Sequence, residues 1–141
     1  MADLPDCKNL KALVVDDHLV IRRLIEQYLR NIGFENIDVV ATGQEASDKL
    51  SANGYDIVFL DWNMPGKSGY AVLQECRQED RFDNVAFVMV TAESHERYVI
   101  EALKAGANSY ITKPFSQKSF DEKVRKVLTW LHARATAAKV G

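Results

Sequence analysis

Three aspartates, a threonine and a lysine stand at the ends of short apolar runs. Asp16 and Asp17 follow Ala12–Val15, and Asp61 follows Ile57–Leu60. Thr91 follows Val85–Val90, and Lys113 lies just beyond Tyr110–Ile111. If these runs are parallel strands, all five side chains reach one edge of the sheet, where open α/β sheets bind ligands. Three carboxylates held together repel, and one shifts toward its protonated form unless a cation is bound. Mg²⁺ suits such a set, because it binds one or two carboxylates together with waters and phosphate oxygens. No Cys/His cluster has the spacing of a zinc site. A buried carboxylate beside Mg²⁺ and a lysine is a chemically sound acceptor for a phosphoryl group. Mg²⁺ and Lys113 would neutralise charge on the transferring oxygens, and Thr91 would offer one of them a hydroxyl.

Each residue also has a plainer role. Asp17 could be the N-cap of a following helix. A threonine ending a strand and a lysine before a proline are commonplace. Their joint arrival at four strand ends is what points to chemistry. His18, directly after the acidic pair, is expected as an exposed residue opening the first helix, with reach toward the phosphate edge as the alternative.

The elements that carry these residues are legible in the hydropathy pattern. Five apolar runs, the four above with Ile37–Ala41, are mostly continuous, as parallel strands covered on both faces require. Ile21, Leu24, Ile25, Tyr28, Leu29 and Ile32 keep helical spacing, and Gly33 is placed to end that helix. Thr42-Gly43-Gln44-Glu45 reads as a capping box opening a second helix. Gly69–Gln78 and His95–Lys104 predict a third and a fourth. Phe120, Val124, Val127, Leu128 and Leu131 predict a fifth, with the Ala-rich tail from Ala133 extending or fraying from it. Strands alternating with helices predict an α/β fold with a parallel sheet.

The bulk properties exclude several classes. With 141 residues the chain is sized for one domain, and 47% apolar composition argues against disorder. A net charge of −2 gives no electrostatic reason to expect a nucleic-acid partner. Six consecutive apolar residues, Val85–Val90, fall far short of the roughly 20 that span a bilayer, so no membrane segment is expected. The first eight residues do not resemble an export signal, and Cys7 and Cys76 read as free, core-type thiols, which predicts a cytoplasmic location.

Four segments carry a resemblance. Val14-Val15-Asp16-Asp17, Leu60-Asp61-Trp62-Asn63-Met64-Pro65-Gly66, Val90-Thr91-Ala92 and Tyr110-Ile111-Thr112-Lys113-Pro114-Phe115 resemble the signature segments of bacterial response-regulator receiver domains. The likeness covers roughly residues 8–131, leaving 1–7 and 132–141 as an N-terminal tail and a C-terminal extension. Asp61-Trp62-Asn63-Met64-Pro65, Arg22-Arg23 and Thr91-Ala92-Glu93 resemble most the single-domain chemotaxis regulators of the CheY type. The resemblance implies a doubly wound, flavodoxin-like (βα)5 fold with strand order 2-1-3-4-5. It implies that Asp61 accepts a phosphoryl group from a sensor histidine kinase. Asp17, Asp61 and the carbonyl of Asn63 would hold Mg²⁺, with Asp16 acting through water. Thr91, Ala92 and Lys113 would form the phosphate-binding edge, and Asn63 and Glu93 would tune dephosphorylation toward a short-lived signal. Tyr110 would be the switch aromatic, turning inward as Thr91 moves to the phosphate. Its plainer role is a half-buried strand aromatic.

Tyr110, Lys123 and Lys126 match an output face, for which the plainer role of the lysines is a solvated stripe. Ser94-His95-Glu96 replaces a basic pair at that face, which sets the motor contact and the phosphatase of well-studied relatives apart. The implied function is a monomeric phosphoacceptor signalling protein, not a classical enzyme. Its partner would be a flagellar motor switch protein or, as a relay or phosphate sink, a histidine phosphotransfer protein. With about 124 residues in the receiver, the signal is expected to leave by protein contact. A phosphohydrolase lacks its second acid, because Asn63 stands two residues after Asp61. A flavodoxin-like carrier would set acidic strand ends against an FMN phosphate.

Overall fold

The computed structural model describes residues 6–140, with side chains through residue 135. Its elements alternate as the hydropathy pattern requires. They are β1 (Lys11–Val15), α1 (Leu19–Ile32), β2 (Asn36–Val40), α2 (Gly43–Ala52), β3 (Ile57–Leu60) and α3 (Gly69–Arg77). After a short 3₁₀ turn at Asp80–Phe82 come β4 (Ala86–Thr91), α4 (Glu96–Lys104), β5 (Ser109–Thr112) and α5 (Gln117–Val140). The five strands pair in parallel in the order β2-β1-β3-β4-β5. This is the doubly wound order expected above.

Period-two alternation along the strands divides the core into two layers. Leu13, Val15, Val58, Leu60, Phe87 and Met89 face Ala46 and Leu50 of α2, Val72 and Leu73 of α3 and Ala102 of α4. Ala12, Val14, Phe59, Val88 and Val90 face the other way, onto Ile25 and Leu29 of α1 and Phe120, Val124 and Leu128 of α5. Because helices cover both faces, β1, β3 and β4 carry buried residues with almost no interruption. The edge strand β2 departs from that expectation. Only Val40 in it is buried, since an edge strand lacks a neighbour on one side.

The local signals explain most boundaries. Gly33 ends α1 at φ 128°, its N–H donating to the carbonyls of Leu29 and Arg30. The Thr42 hydroxyl accepts from the Glu45 N–H at 3.1 Å and also faces the Glu45 carboxylate. Asp17 does not cap α1. His18 occupies that position and its side chain makes no capping bond. The last helix runs past Leu131 to Val140. Cys7 and Cys76 are both buried free thiols, so the packed unit already includes Cys7. Among the described residues, no helix is long and apolar enough to cross a membrane.

Candidate functional site

Strand register builds the site. Val15 lies beside Val40 on one side and Leu60 on the other, while Thr91 lies beside Thr112. The ladder continues one residue past each strand. Asp16 N–H donates to the Val40 carbonyl at 3.3 Å, Asp61 N–H to Val15 at 3.0 Å, and Lys113 N–H to Thr91 at 2.9 Å. Asp16, Asp61 and Lys113 are therefore adjacent because their strands end level.

The side chains converge accordingly. Lys113 Nζ lies 2.8 Å from Asp16 Oδ2 and 3.3 Å from Asp61 Oδ2. Asp16 is 1% exposed and Asp61 4%, so one ammonium serves two carboxylates in a nearly dry place. Burial pushes the Asp61 carboxyl above its ordinary value, and the Asp16 charge pushes it further. Lys113 and the Thr91 hydroxyl oppose both effects. The net direction is upward, the mark of a carboxylate short of positive charge. Arg22 adds a cation to the loop, its Nη1 donating to the Asp16 carbonyl at 2.7 Å.

Asp17 completes the acidic group. Its Oδ1 is buried and has no hydrogen-bond partner. His18 Nδ1 lies 3.2 Å from that oxygen and 3.0 Å from Asp16 Oδ1. One ligand atom from each of Asp16, Asp17, His18 and Asp61 lies within 4.8 Å of the others. A buried carboxylate oxygen without a donor, beside two more carboxylates, fits a hard divalent cation. The donors present suit Mg²⁺.

Around this centre the loop after β4 is pinned at three points through Glu93. Asn63 Nδ2 donates to Glu93 Oε1 at 2.6 Å, and Glu93 N–H donates to the Thr91 hydroxyl at 3.3 Å. The Tyr110 hydroxyl donates to the Glu93 carbonyl. Thr91 is fully buried and Ala92 exposed. Tyr110 is buried in the α2–α4 layer of the core, and its phenol is pushed up to about 12 by burial and then by the nearby carboxylates. It thus stands inward already in this structure. Lys123 and Lys126 are exposed on α5.

Three contributors were not singled out from the sequence. Gly69 opens α3 directly over Asp61: a Cβ there would lie 1.9 Å from the Asp61 carbonyl oxygen. A helix former is the default at such a position, so a glycine beside Ser68 was the available signal. Tyr70 and Tyr98 enclose Trp62, the former stacked at 4.5 Å and the latter edge-on at 5.2 Å. They lie far apart in sequence from each other, and only the packing of α3 beside α4 brings them to one indole.

Residues 12–125 match the family model described as the response regulator receiver domain. The chain belongs to the response-regulator receiver family. Chemotaxis protein CheY-3 of Vibrio cholerae serotype O1 is 38% identical over 120 residues, covering 85% of this chain and 92% of that protein. Chemotaxis protein CheY of Pseudomonas aeruginosa is 38% identical over 118 residues, covering 84% and 95%. Among solved structures, Vibrio cholerae CheY4 superposes with a TM-score of 0.76 at 26% identity, over 84% of this chain and 98% of that one. The receiver domain of Francisella response regulator 1452 gives 0.76 at 29%, over 90% and 99%. This receiver is therefore CheY-like, a class of two-component chemotaxis signalling proteins, and its acidic pocket is where receivers bind Mg²⁺.

Proposed function

We propose that this receiver, residues 8–131, is a phosphorylation-controlled chemotaxis regulator whose acceptor is Asp61. The observation that carries the reading is Lys113 bridging Asp16 and Asp61 at level strand ends. An Asp61 oxygen attacks the phosphorus of a sensor kinase phosphohistidine; the P–N bond breaks, the imidazole leaves and an acyl phosphate forms. Asp17, Asp61 and the Asn63 carbonyl would hold Mg²⁺, with Asp16 acting through water, and the ion would supply charge neutralisation at the phosphoryl oxygens. Lys113 takes the phosphoryl oxygens as new partners, and the Thr91 hydroxyl donates to another of them.

The switch follows from charge and packing. Phosphorylation replaces one negative charge with nearly two and adds acceptor oxygens that hold Thr91 and Lys113. Thr91 and Tyr110 are linked through Glu93, so holding Thr91 favours the inward Tyr110 already accommodated by the core. A bias of about 5.5 kcal/mol would swing a 1:99 mixture to 99:1. The responding face is that of α4, β5 and α5, with Tyr110, Lys123 and Lys126. Exposed Ile100 and Leu103 on α4 supply apolar area for a protein partner there. Most in keeping with the CheY relatives is a flagellar motor switch protein.

Acetyl phosphate with Mg²⁺ tests the reading: acid-labile label on the wild type and none on Asp61→Asn are expected. Undiminished labelling of that variant defeats the assignment. Pull-downs with and without beryllofluoride then distinguish the motor switch protein from a histidine phosphotransfer domain.

A further inference from the structure

His18 stands where the acidic loop turns into α1, with φ −96° and ψ 114°. An N-cap side chain ordinarily turns forward, onto the free N–H groups of the helix. His18 turns back instead. Its backbone N–H donates to Asp16 Oδ1 at 2.9 Å, fixing the turn, and its Nδ1 reaches 3.0 Å from that same oxygen. Nδ1 is also 3.2 Å from Asp17 Oδ1, yet that buried oxygen has no hydrogen bond. The rest of the ring is open to solvent, the side chain being 64% exposed. The imidazole thus roofs the acidic pocket with one nitrogen pointing in.

The spacing of Nδ1 from Asp17 Oδ1 is that of neighbouring ligands on one cation. Ligands at right angles, each about 2.1 Å from a metal, lie about 3.0 Å apart. Nδ1 and Asp17 Oδ1 are 3.2 Å apart with no hydrogen bond between them, whereas the 3.0 Å contact with Asp16 Oδ1 is a hydrogen bond. What an imidazole adds to a carboxylate set is discrimination. It is a good ligand for Ni²⁺, Zn²⁺ and Cu²⁺, whereas Mg²⁺ keeps to oxygen and water.

We propose that His18 is a fourth protein ligand of this pocket, so that first-row transition cations bind through its Nδ1 while Mg²⁺ binds through oxygen alone. The proposal rests on the reading of Asp16, Asp17 and Asp61 as the receiver's cation site. A transition cation held this way excludes Mg²⁺ from the same carboxylates. His18 thereby sets which metals compete for the pocket.

Calorimetric titration of the full, metal-stripped chain with Ni²⁺ and, separately, Mg²⁺ tests this in the wild type, His18→Asn and Asp17→Asn. Asparagine keeps the N-cap preference while removing the imidazole. The expected result is a loss of about tenfold or more in Ni²⁺ affinity for His18→Asn, a scale on which even partners of metal ligands act, with Mg²⁺ affinity unchanged. Proton spectra of the Ni²⁺-loaded wild type should show a strongly shifted imidazole N–H resonance that His18→Asn lacks, although His95 and His132 remain. Unchanged Ni²⁺ affinity, equal losses for both metals, or a shifted resonance that persists in His18→Asn each overturn the proposal. Failure of the underlying reading looks different: Asp17→Asn would then leave Mg²⁺ binding intact, whatever His18→Asn does to Ni²⁺.

Discussion

Asn63 Nδ2 donates to Glu93 Oε1 at 2.6 Å, tying the loop that carries Asp61 to the loop that carries Thr91. Both residues lie two positions beyond the group they flank, so the bond spans the same edge at which a phosphoryl group on Asp61 would meet water. Glu93 also receives the Tyr110 hydroxyl at its carbonyl and gives its N–H to Thr91. One glutamate therefore touches the loop that carries Asp61, the Thr91 hydroxyl and the Tyr110 phenol.

Phosphoryl lifetime should depend on that bond as a unit. Asn63→Ala and Glu93→Ala are each expected to change the rate of phosphoryl loss from Asp61, and the double variant to go little further. A coupling of about 1 kcal/mol, or about fivefold in rate, is the ordinary size for two side chains in contact. Radiolabel decay in excess Mg²⁺ measures it. Effects that multiply would mean the two residues act separately.

Gly69→Ala should loosen the acceptor loop. The added methyl carbon would sit 1.9 Å from the Asp61 carbonyl oxygen and 2.9 Å from its carbon, and both are backbone atoms that cannot rotate away. Overpacking of this kind costs about 1–3 kcal/mol. Urea unfolding should show that loss, and labelling by acetyl phosphate should slow with it. A variant as stable as the wild type would mean that α3 shifts freely against β3.

Trp62 should report occupancy of the site. Its indole follows Asp61 directly and lies between Tyr70 and Tyr98, so movement of the acceptor loop changes its ring contacts. Beryllofluoride with Mg²⁺ is expected to quench its emission, and Trp62→Phe to remove that response while Trp130 still emits. Quenching that survives in Trp62→Phe would place the change elsewhere.

How much of this was legible beforehand depends on the range of the interaction. Asp16, Asp61, Thr91 and Lys113 could be placed at one edge because strand ends are local features, and parallel register then aligns them. Gly33 and Thr42 were legible for the same reason, since a cap is satisfied within a few residues. Arg77 was not. Its guanidinium reaches the carbonyls of Phe82, Val85 and Gly106 and the Asn108 side chain, ordering loops that only the folded sheet brings together. The half-buried Arg77 and the two tyrosines around Trp62 depend on tertiary packing. Hydropathy carries no trace of them. The partial exposure of β2 follows from its place at a sheet edge, which is also a property of topology.

Alkaline conditions should weaken the fold through Cys76. Burial, and then the charges of Glu75 and Glu79, push its thiol from 9.0 to about 11. The folded chain therefore holds this proton at a pH where the unfolded chain has released it. The resulting stability is complete below pH 9 and is lost as pH climbs from 9 toward 11. Tyr110, raised from 10.0 to about 12, adds a second loss that begins higher. Cys76→Ala should be less stable near neutrality, because it vacates a buried site, yet fall less steeply than wild type above pH 9. Urea midpoints under reducing conditions, followed from neutrality to about pH 10, test the sign, with a slope of at most about 1.4 kcal/mol per pH unit for one proton. Parallel curves for the two proteins would show that the thiol ionises alike in the folded and unfolded chains.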